Sequence, residues 1–308
     1  LTAQDTLANP LLKGSLLLGG AAILFPVKDA FVKSVGESVS PLEAAAVYFA
    51  TQATLTVLWL ALSSSPAPSL TAATVIKLAL RSSLMVLAIV LFFASVQNAP
   101  LAEAVVLFTT NALFVVLLGF FVLKEQRTLR SVFSVALGFI GVIFIIRPSA
   151  SNMPDPNLLL ALGSALCYGS FMIATRALGQ NAGPVKMLLF DGLVGTTLCV
   201  AAIGVYWALL GEQPNLLSNP YEPLARLICS GVIGTASALL VILAMRVAPA
   251  SKIAVWGYLE IPSAVLVGFV AFNDRLDITS LFGAGVIVFA CYLSTRQSRK
   301  ARSDEQSA

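Results

Sequence analysis

Histidine is missing from this 308-residue chain altogether. Its absence removes the commonest acid–base side chain and the commonest metal ligand. Haem ligation through His and zinc proteolysis of the His-Glu-x-x-His kind are therefore not expected. Charge is scarce as well: 11% of residues are charged, where a soluble domain carries roughly a quarter. So few charges do not cover a soluble surface, which excludes a soluble globular enzyme, a disordered chain and a nucleic-acid binder. The cysteines Cys167, Cys199, Cys229 and Cys291 stand singly inside apolar runs with no Cys-x-x-Cys pair. They read as small core residues, not as disulfides or metal ligands. No Gly-x-x-x-x-Gly-Lys-Ser/Thr loop is present for ATP, and no cofactor is expected.

Apolar residues are plentiful instead. They make up 58% of the chain, the mean hydropathy is +0.90, and they come in long runs. A bilayer core of about 30 Å takes roughly 20 apolar residues per helix. Ten candidate spans follow: 14–33, 41–63, 74–97, 101–123, 129–146, 158–178, 184–210, 223–247, 251–272 and 278–295. Breakers mark their joints, among them Ser40-Pro41, Asn98-Ala99-Pro100, Gly183-Pro184, Ala248-Pro249 and Asn273-Asp274. The first span does not read as a cleaved signal peptide, because Pro26-Val27-Lys28-Asp29 follows its apolar run. The fold class expected is an all-α polytopic membrane protein.

The basic residues set an orientation. With the N-terminus inside, Lys13, Lys77, Arg81, Lys124, Arg127, Arg130, Arg176, Lys186, Arg246, Lys252, Arg296, Arg299, Lys300 and Arg302 fall on the cytoplasmic side. Lys28, Lys33, Arg147, Arg226 and Arg275 fall on the other. The positive-inside rule asks for such a bias, so both termini are expected in the cytoplasm. The net charge of +4 is mostly this topology signal.

An internal repeat underlies the spans. Residues 99–141 lie on 248–290 at a constant offset of 149, without a gap. Ala99-Pro100 meets Ala248-Pro249, Gly119-Phe120 meets Gly268-Phe269, and Glu125 meets Asp274. Five helices per copy is an odd number, so the second copy enters the membrane inverted, as in many secondary transporters with a site at the repeat interface. The expected units are a first repeat over 14–149, a second over 157–295, and a cytoplasmic tail over 296–308.

Asn98–Val106, Leu123-Lys-Glu-Gln126 and Gly138–Pro148, with Tyr258-Leu-Glu260, Gly268–Asp274 and Gly283–Ile287 in the second half, resemble the EamA-domain permeases of the drug/metabolite transporter superfamily. Asp29-Ala-Phe-Val-Lys33 and the Arg81-Ser-Ser83 stretch are most similar to the branch containing S-adenosylmethionine uptake permeases. The resemblance implies two five-helix halves around a central cavity lined by spans 1, 3, 4, 6, 8 and 9. It makes spans 5 and 10 peripheral, a possible homodimer face. Two departures stand out. Ala112 replaces a proline common in span 4 of relatives, leaving that span without the family's helix breaker. Span 2 lacks an arginine that relatives often carry in the stretch 47–53.

An ionisable group at bilayer depth is costly unless paired or wetted, so it is a functional candidate. Glu260 leads, with no charge between Lys252 and Asp274 and with Asn111 as its repeat mate. Trp256, one helical turn before it, and Tyr258 add aromatic surface, and Pro262 would loosen the backbone. Asp29 has two readings: an i,i+4 pair with Lys33 at the outer interface, or a gate or cation-binding carboxylate. Asp191 reads rather as a hydrogen-bonding partner of another helix, and Glu103 as a partner of its own helix N-terminus. Arg81 and Arg176 are expected near cytoplasmic ends, snorkelling or forming an entrance for an anionic group. Lys33 joins them as a gating candidate. Tyr168 and Phe25 occupy comparable places in spans 6 and 1 and would stack on a planar or cationic substrate if they face the cavity. Glycines 138, 141, 283 and 285 let helices approach closely, with a dimer face on spans 5 and 10 as one use.

The function expected is alternating-access transport of a small polar organic metabolite across a bacterial inner membrane, energised by a proton gradient or by exchange. Acidic residues with aromatics suit an amino acid or a cationic derivative, and the resemblance adds S-adenosylmethionine. A membrane enzyme lacks a nucleophile–base pair. A non-transporting receptor or assembly subunit, and a carrier of lipid or organic anion, stay open.

Overall fold

The computed structural model describes residues 10–62, 72–122, 129–146, 155–178, 184–211, 213–218, 221–248, 253–275 and 277–306. All the regular structure among them is helical. The helices are α1 (Pro10–Val35), α2 (Pro41–Leu62), α3 (Ala72–Asn98), α4 (Leu101–Thr109), α5 (Asn111–Val122), α6 (Leu129–Ile146), α7 (Pro156–Leu178), α8 (Pro184–Leu210), the short α9 (Asn215–Ser218), α10 (Tyr221–Val247), α11 (Glu260–Phe272) and α12 (Ile278–Gln306). A 3₁₀ segment, Ala254–Leu259, leads into α11. Seven stretches are long and apolar enough to cross a bilayer, α4 and α5 counting together as Leu101–Val122. Three apolar helical stretches are shorter: Val135–Ile146, Trp256–Phe272 and Ile278–Ala290.

The chain's own polar residues start and stop these helices. At α2, Ser40 and Glu43 form a reciprocal capping box: Glu43 Oε2 accepts from Ser40 N (2.9 Å), and Ser40 Oγ accepts from Glu43 N (3.2 Å). Pro41 occupies the first helical position, where a missing N–H costs nothing. Asp155 caps α7 through Asn157 N (2.9 Å), and Asp277 caps α12 through Thr279 N (2.7 Å). Asn273 ends α11 at φ 55°, a left-handed cap that Asn tolerates better than most residues. The α12 helix runs past the expected end at Thr295 because Arg296–Gln306 is rich in helix formers and holds no Gly or Pro.

Packing follows a repeated plan. Helix α1 lies against α10 as α3 lies against α7, α2 pairs with α8, and α6 pairs with α12. Glycines permit the closest approaches. A Cβ on Gly195 of α8 would sit 2.3 Å from the Phe49 ring of α2. One on Gly141 of α6 would sit 2.7 Å from Ile287 Cγ1 and 2.8 Å from the Gly283 backbone of α12. Gly138, Gly141 and Gly283 are therefore consumed within the chain, against Leu113 and across the α6–α12 contact. Close helix approach is thus the use these three serve within the chain; of the four, Gly285 has open space beside it.

Two helices break, and the breaks are repeat mates. The run 101–122 is interrupted at Thr110 although no proline is present. Three consecutive side chains fold back on carbonyls three residues earlier: Thr109 Oγ1 donates to Val106 O (2.7 Å), Thr110 Oγ1 to Leu107 O (2.6 Å) and Asn111 Nδ2 to Phe108 O (2.7 Å), the last two carbonyls also accepting backbone N–H groups at the helix end. Such bonding supplies the partners that a break at membrane depth requires. In the second half the change from 3₁₀ to α falls at Glu260. Asn111 and Glu260, 149 residues apart, each open the second half of a broken helix. Pro262 does not make that break, since it stands in the first turn of α11, where proline fits.

Candidate functional site

Asn111 opens α5 at the middle of a 22-residue apolar run, about 15 Å from either end at 1.5 Å per residue. Glu260 opens α11, whose 13 residues span about 19 Å by the same rise. The first break therefore lies at the middle of a stretch long enough to cross a bilayer, and the second, its repeat mate, lies inside a shorter apolar stretch. Helices α1 and α7 run past them on glycines: a Cβ on Gly19 would sit 3.3 Å from Leu259 Cδ1, and one on Gly169 would sit 2.9 Å from Phe114 Cβ and 3.3 Å from Asn111 O.

Around this centre the polar side chains form one electrostatically connected group. Asp29 on α1 is 1% exposed and pairs with its neighbour Lys28, itself 5% exposed. The Lys28 ammonium stands among four rings, with centroids 5.6 Å (Phe93), 5.7 Å (Phe92), 5.8 Å (Tyr48) and 5.9 Å (Phe25) away. Charge–ring attraction and a carboxylate together repay the desolvation of a buried ammonium. The expected Asp29–Lys33 pair is thus corrected, because Lys33 reaches a different partner. The interfacial, snorkelling alternative for Asp29 fails with it, since the carboxylate is buried.

Across the centre, Arg81 Nη1 of α3 donates to Asp191 Oδ1 of α8 at 2.8 Å, and Ser82 Oγ donates to the same oxygen at 2.6 Å. Arg81 Nε donates to Thr175 Oγ1 (2.7 Å), and its guanidinium lies 4.2 Å from the Phe171 ring centroid. Arg81 is buried, which corrects both earlier readings of it: its charge is paired inside the protein and its Nε and Nη1 are bonded there, so it neither snorkels nor offers an open anion site. Asp191 is the interhelical partner its sequence context suggested.

Glu260 feels the charges of both Asp29 and Lys28, yet no hydrogen-bond or ion-pair partner reaches its carboxylate among the described residues. It is half-buried. The group holds three carboxylates (Asp29, Asp191, Glu260) and two cations (Lys28, Arg81), one carboxylate more than it has cations. Tyr168, in the field of Glu260, Asp191 and Arg81, packs between the tilted rings of Phe108 (centroids 5.1 Å apart) and Phe171 (5.4 Å). Phe25 and Tyr258 are half-buried. Trp256 is 40% exposed in the 3₁₀ segment, so the α-helical one-turn relation to Glu260 does not hold. The Arg176 side chain lies outside the described residues.

One end of the bundle is tied by a separate device. Lys33 Nζ donates to Asp274 Oδ2 (2.6 Å) and to Ala99 O (2.8 Å), while the same Asp274 oxygen accepts from Leu101 N (2.9 Å). These bonds join α1, the start of α4 and the end of α11, with the Phe272 ring centroid 4.9 Å from the Lys33 ammonium. Glu103 reaches across to α12 through Ser280 Oγ (2.6 Å). Lys28 was missed as a site residue in the sequence. The signal was Phe25, Tyr48 and the Phe92-Phe93 pair, whose convergence only the packing reveals.

A bundle of apolar helices, seven stretches of which are long enough to cross a bilayer, with two broken helices beside a buried charge group, defines a multi-pass membrane protein. Residues 12–147 and 156–296 each match the EamA-like transporter family, and the chain belongs to that family, part of the drug/metabolite transporter superfamily. A relative from Rickettsia bellii (strain RML369-C), an "S-adenosylmethionine uptake transporter", is 24% identical over 205 residues, 67% of this chain and 67% of that one. The "Pseudopaline exporter CntI" of Pseudomonas aeruginosa (strain UCBPP-PA14) is 25% identical over 291 residues, 94% of this chain and 98% of that one. A solved structure, titled only "Crystal structure of protein", superposes with a TM-score of 0.60 at 16% identity, covering 94% of this chain and 98% of the other; that likeness concerns the fold alone.

Proposed function

We propose that the protein is a secondary transporter of a small polar organic metabolite with a cationic centre, an amino acid or amino-acid derivative of which S-adenosylmethionine is the leading candidate. The observation that carries this reading is Glu260: a half-buried carboxylate without a hydrogen-bond or ion-pair partner among the described residues, at a helix break inside an apolar stretch, in a group with one carboxylate more than cations. An ion so placed is costly unless water or a ligand neutralises it. A cationic solute does so, and the engagement of Arg81 by Asp191 argues against an organic anion. Relatives named for the uptake of one solute and the export of another leave the direction to experiment.

Ten spans in two inverted five-helix halves would rock about this centre, Glu260 and Asn111 holding the ligand and Tyr168, Phe25 and Tyr258 supplying aromatic surface. Asp29 or Glu260 would exchange a proton where transport is proton-coupled. With both termini in the cytoplasm of a bacterial inner membrane, the Lys33–Asp274 link lies at the outer end and acts as its gate. Arg176 belongs to the opposite entrance.

A thermal-shift screen of the purified protein tests the substrate class, because a ligand stabilises by RT ln(1 + [L]/Kd), about 2.7 kcal/mol at a hundredfold excess. Stabilisation by S-adenosylmethionine or a cationic amino acid, lost in Glu260→Gln, is the expected result. Stabilisation only by organic anions contradicts it.

A further inference from the structure

Side chains one residue apart on a helix do not face each other, yet Lys28 and Asp29 of α1 are paired. The contact forms because the lysine stem bends back into the box made by Phe25, Tyr48, Phe92 and Phe93. Gly234 of α10 makes the room: a Cβ there would sit 2.9 Å from Lys28 Cδ and 2.6 Å from Tyr48 Cε2. Aromatic boxes closed by a carboxylate are the arrangement that recognises onium cations, whose diffuse charge is weakly hydrated. A primary ammonium is a poorer occupant, being compact and strongly hydrated. Nearby, Glu260 has no cation, though it lies within the field of Lys28.

From this geometry, and resting on the transport reading above, we infer that the box is the subsite for an onium centre (a sulfonium or alkylated ammonium) and that Lys28 is a tethered stand-in occupying it while no substrate is bound. When the onium enters, Lys28 yields Asp29 to it and turns to Glu260, so the solute's charge balances Glu260 through Lys28, and the Glu260 and Asn111 contacts fall on the solute's other polar groups. Each carboxylate has one cation in the loaded state, and the box on α1, α2 and α3 becomes linked to α11 in the other half. Lys28 is thus a competitor for the site as well as a part of it.

The test is equilibrium binding of trimethylsulfonium to the purified full chain in detergent, with uncharged tert-butanol as the shape control. Lys28→Gln keeps a donor for Asp29 and removes the competing charge, so trimethylsulfonium should bind about tenfold tighter, the scale of a desolvated cation–ring contact, while Lys28→Arg should not tighten it. Phe92→Leu in the otherwise unchanged protein should weaken it about fivefold on the same grounds, with tert-butanol unaffected; this variant decides the matter if Lys28→Gln does not fold. Unchanged trimethylsulfonium affinity in Lys28→Gln, or in Phe92→Leu, overturns the inference. The transport reading is read separately, by flux through Glu260→Gln: loss of flux there beside unchanged binding in Lys28→Gln refutes the stand-in role alone.

Discussion

Arg81→Met is the perturbation whose size is best fixed by the structure. It removes the 2.8 Å bond to Asp191, the 2.7 Å bond to Thr175 and the stacking on Phe171. Arg81 and Asp191 side chains are each only 5% exposed, so the orphaned carboxylate cannot turn to solvent, and Ser82 alone remains to bond it. Breaking one side of a buried pair costs about 3–5 kcal/mol, because an uncompensated charge stays behind. Removing both charges in Arg81→Met/Asp191→Leu discards the penalty with the pair, so the double variant should return to within about 1–2 kcal/mol of the original. Equilibrium unfolding in mixed micelles of the two single variants and the double one measures the coupling. Comparable losses in the singles with recovery in the double are expected. Arg81→Met within about 1 kcal/mol of the original, the range of an exposed ion pair, would refute the assignment and return Arg81 to the solvent-facing role its sequence position suggested.

At the Lys33–Asp274 link, Lys33→Ala should open that end of the bundle, raising thiol labelling of Ala99→Cys about tenfold, equivalent to about 1.4 kcal/mol; the exchanged pair Lys33→Asp/Asp274→Lys should lower it again. Gly141→Leu forces a side chain into the Gly283 backbone and should cost about 1–3 kcal/mol of unfolding free energy, as overpacking does, with no change in oligomeric mass by light scattering. Asn111→Leu removes the amide that serves Phe108 O and should leave the fold intact while reducing flux more than ligand affinity; a proportionate loss of both would place Asn111 in binding alone.

Most helix limits were legible because they rest on local chemistry. The Ser40-Pro41-Leu42-Glu43 box, Asp277 and Asn273 act within a few residues, and hydropathy marks what lies between them. The break at Thr110 was not legible as a break: it falls among three residues whose side chains turn back on the preceding turn, and no single residue announces it. Charge pairing was the least legible. Lys33 stands at the i+4 position that favours Asp29, but Asp274, 241 residues away, takes it, and Lys28 turns back to Asp29 from a position that helical geometry disfavours. Arg81 is placed by sequence near a polar edge and Asp191 as a partner of some other helix; only the packing of α3 on α8 buries both and joins them. Glu260 was legible for the opposite reason: a lone carboxylate in an apolar run is expensive wherever the helices go.

Flux of S-adenosylmethionine and cationic amino acids in proteoliposomes, compared between the original protein and Glu260→Gln, tests the central claim most directly. The account predicts saturable flux of a cationic solute that Glu260→Gln abolishes, or strips of its pH dependence, while the variant unfolds at the same denaturant concentration. Flux and pH dependence both unchanged in Glu260→Gln would contradict it.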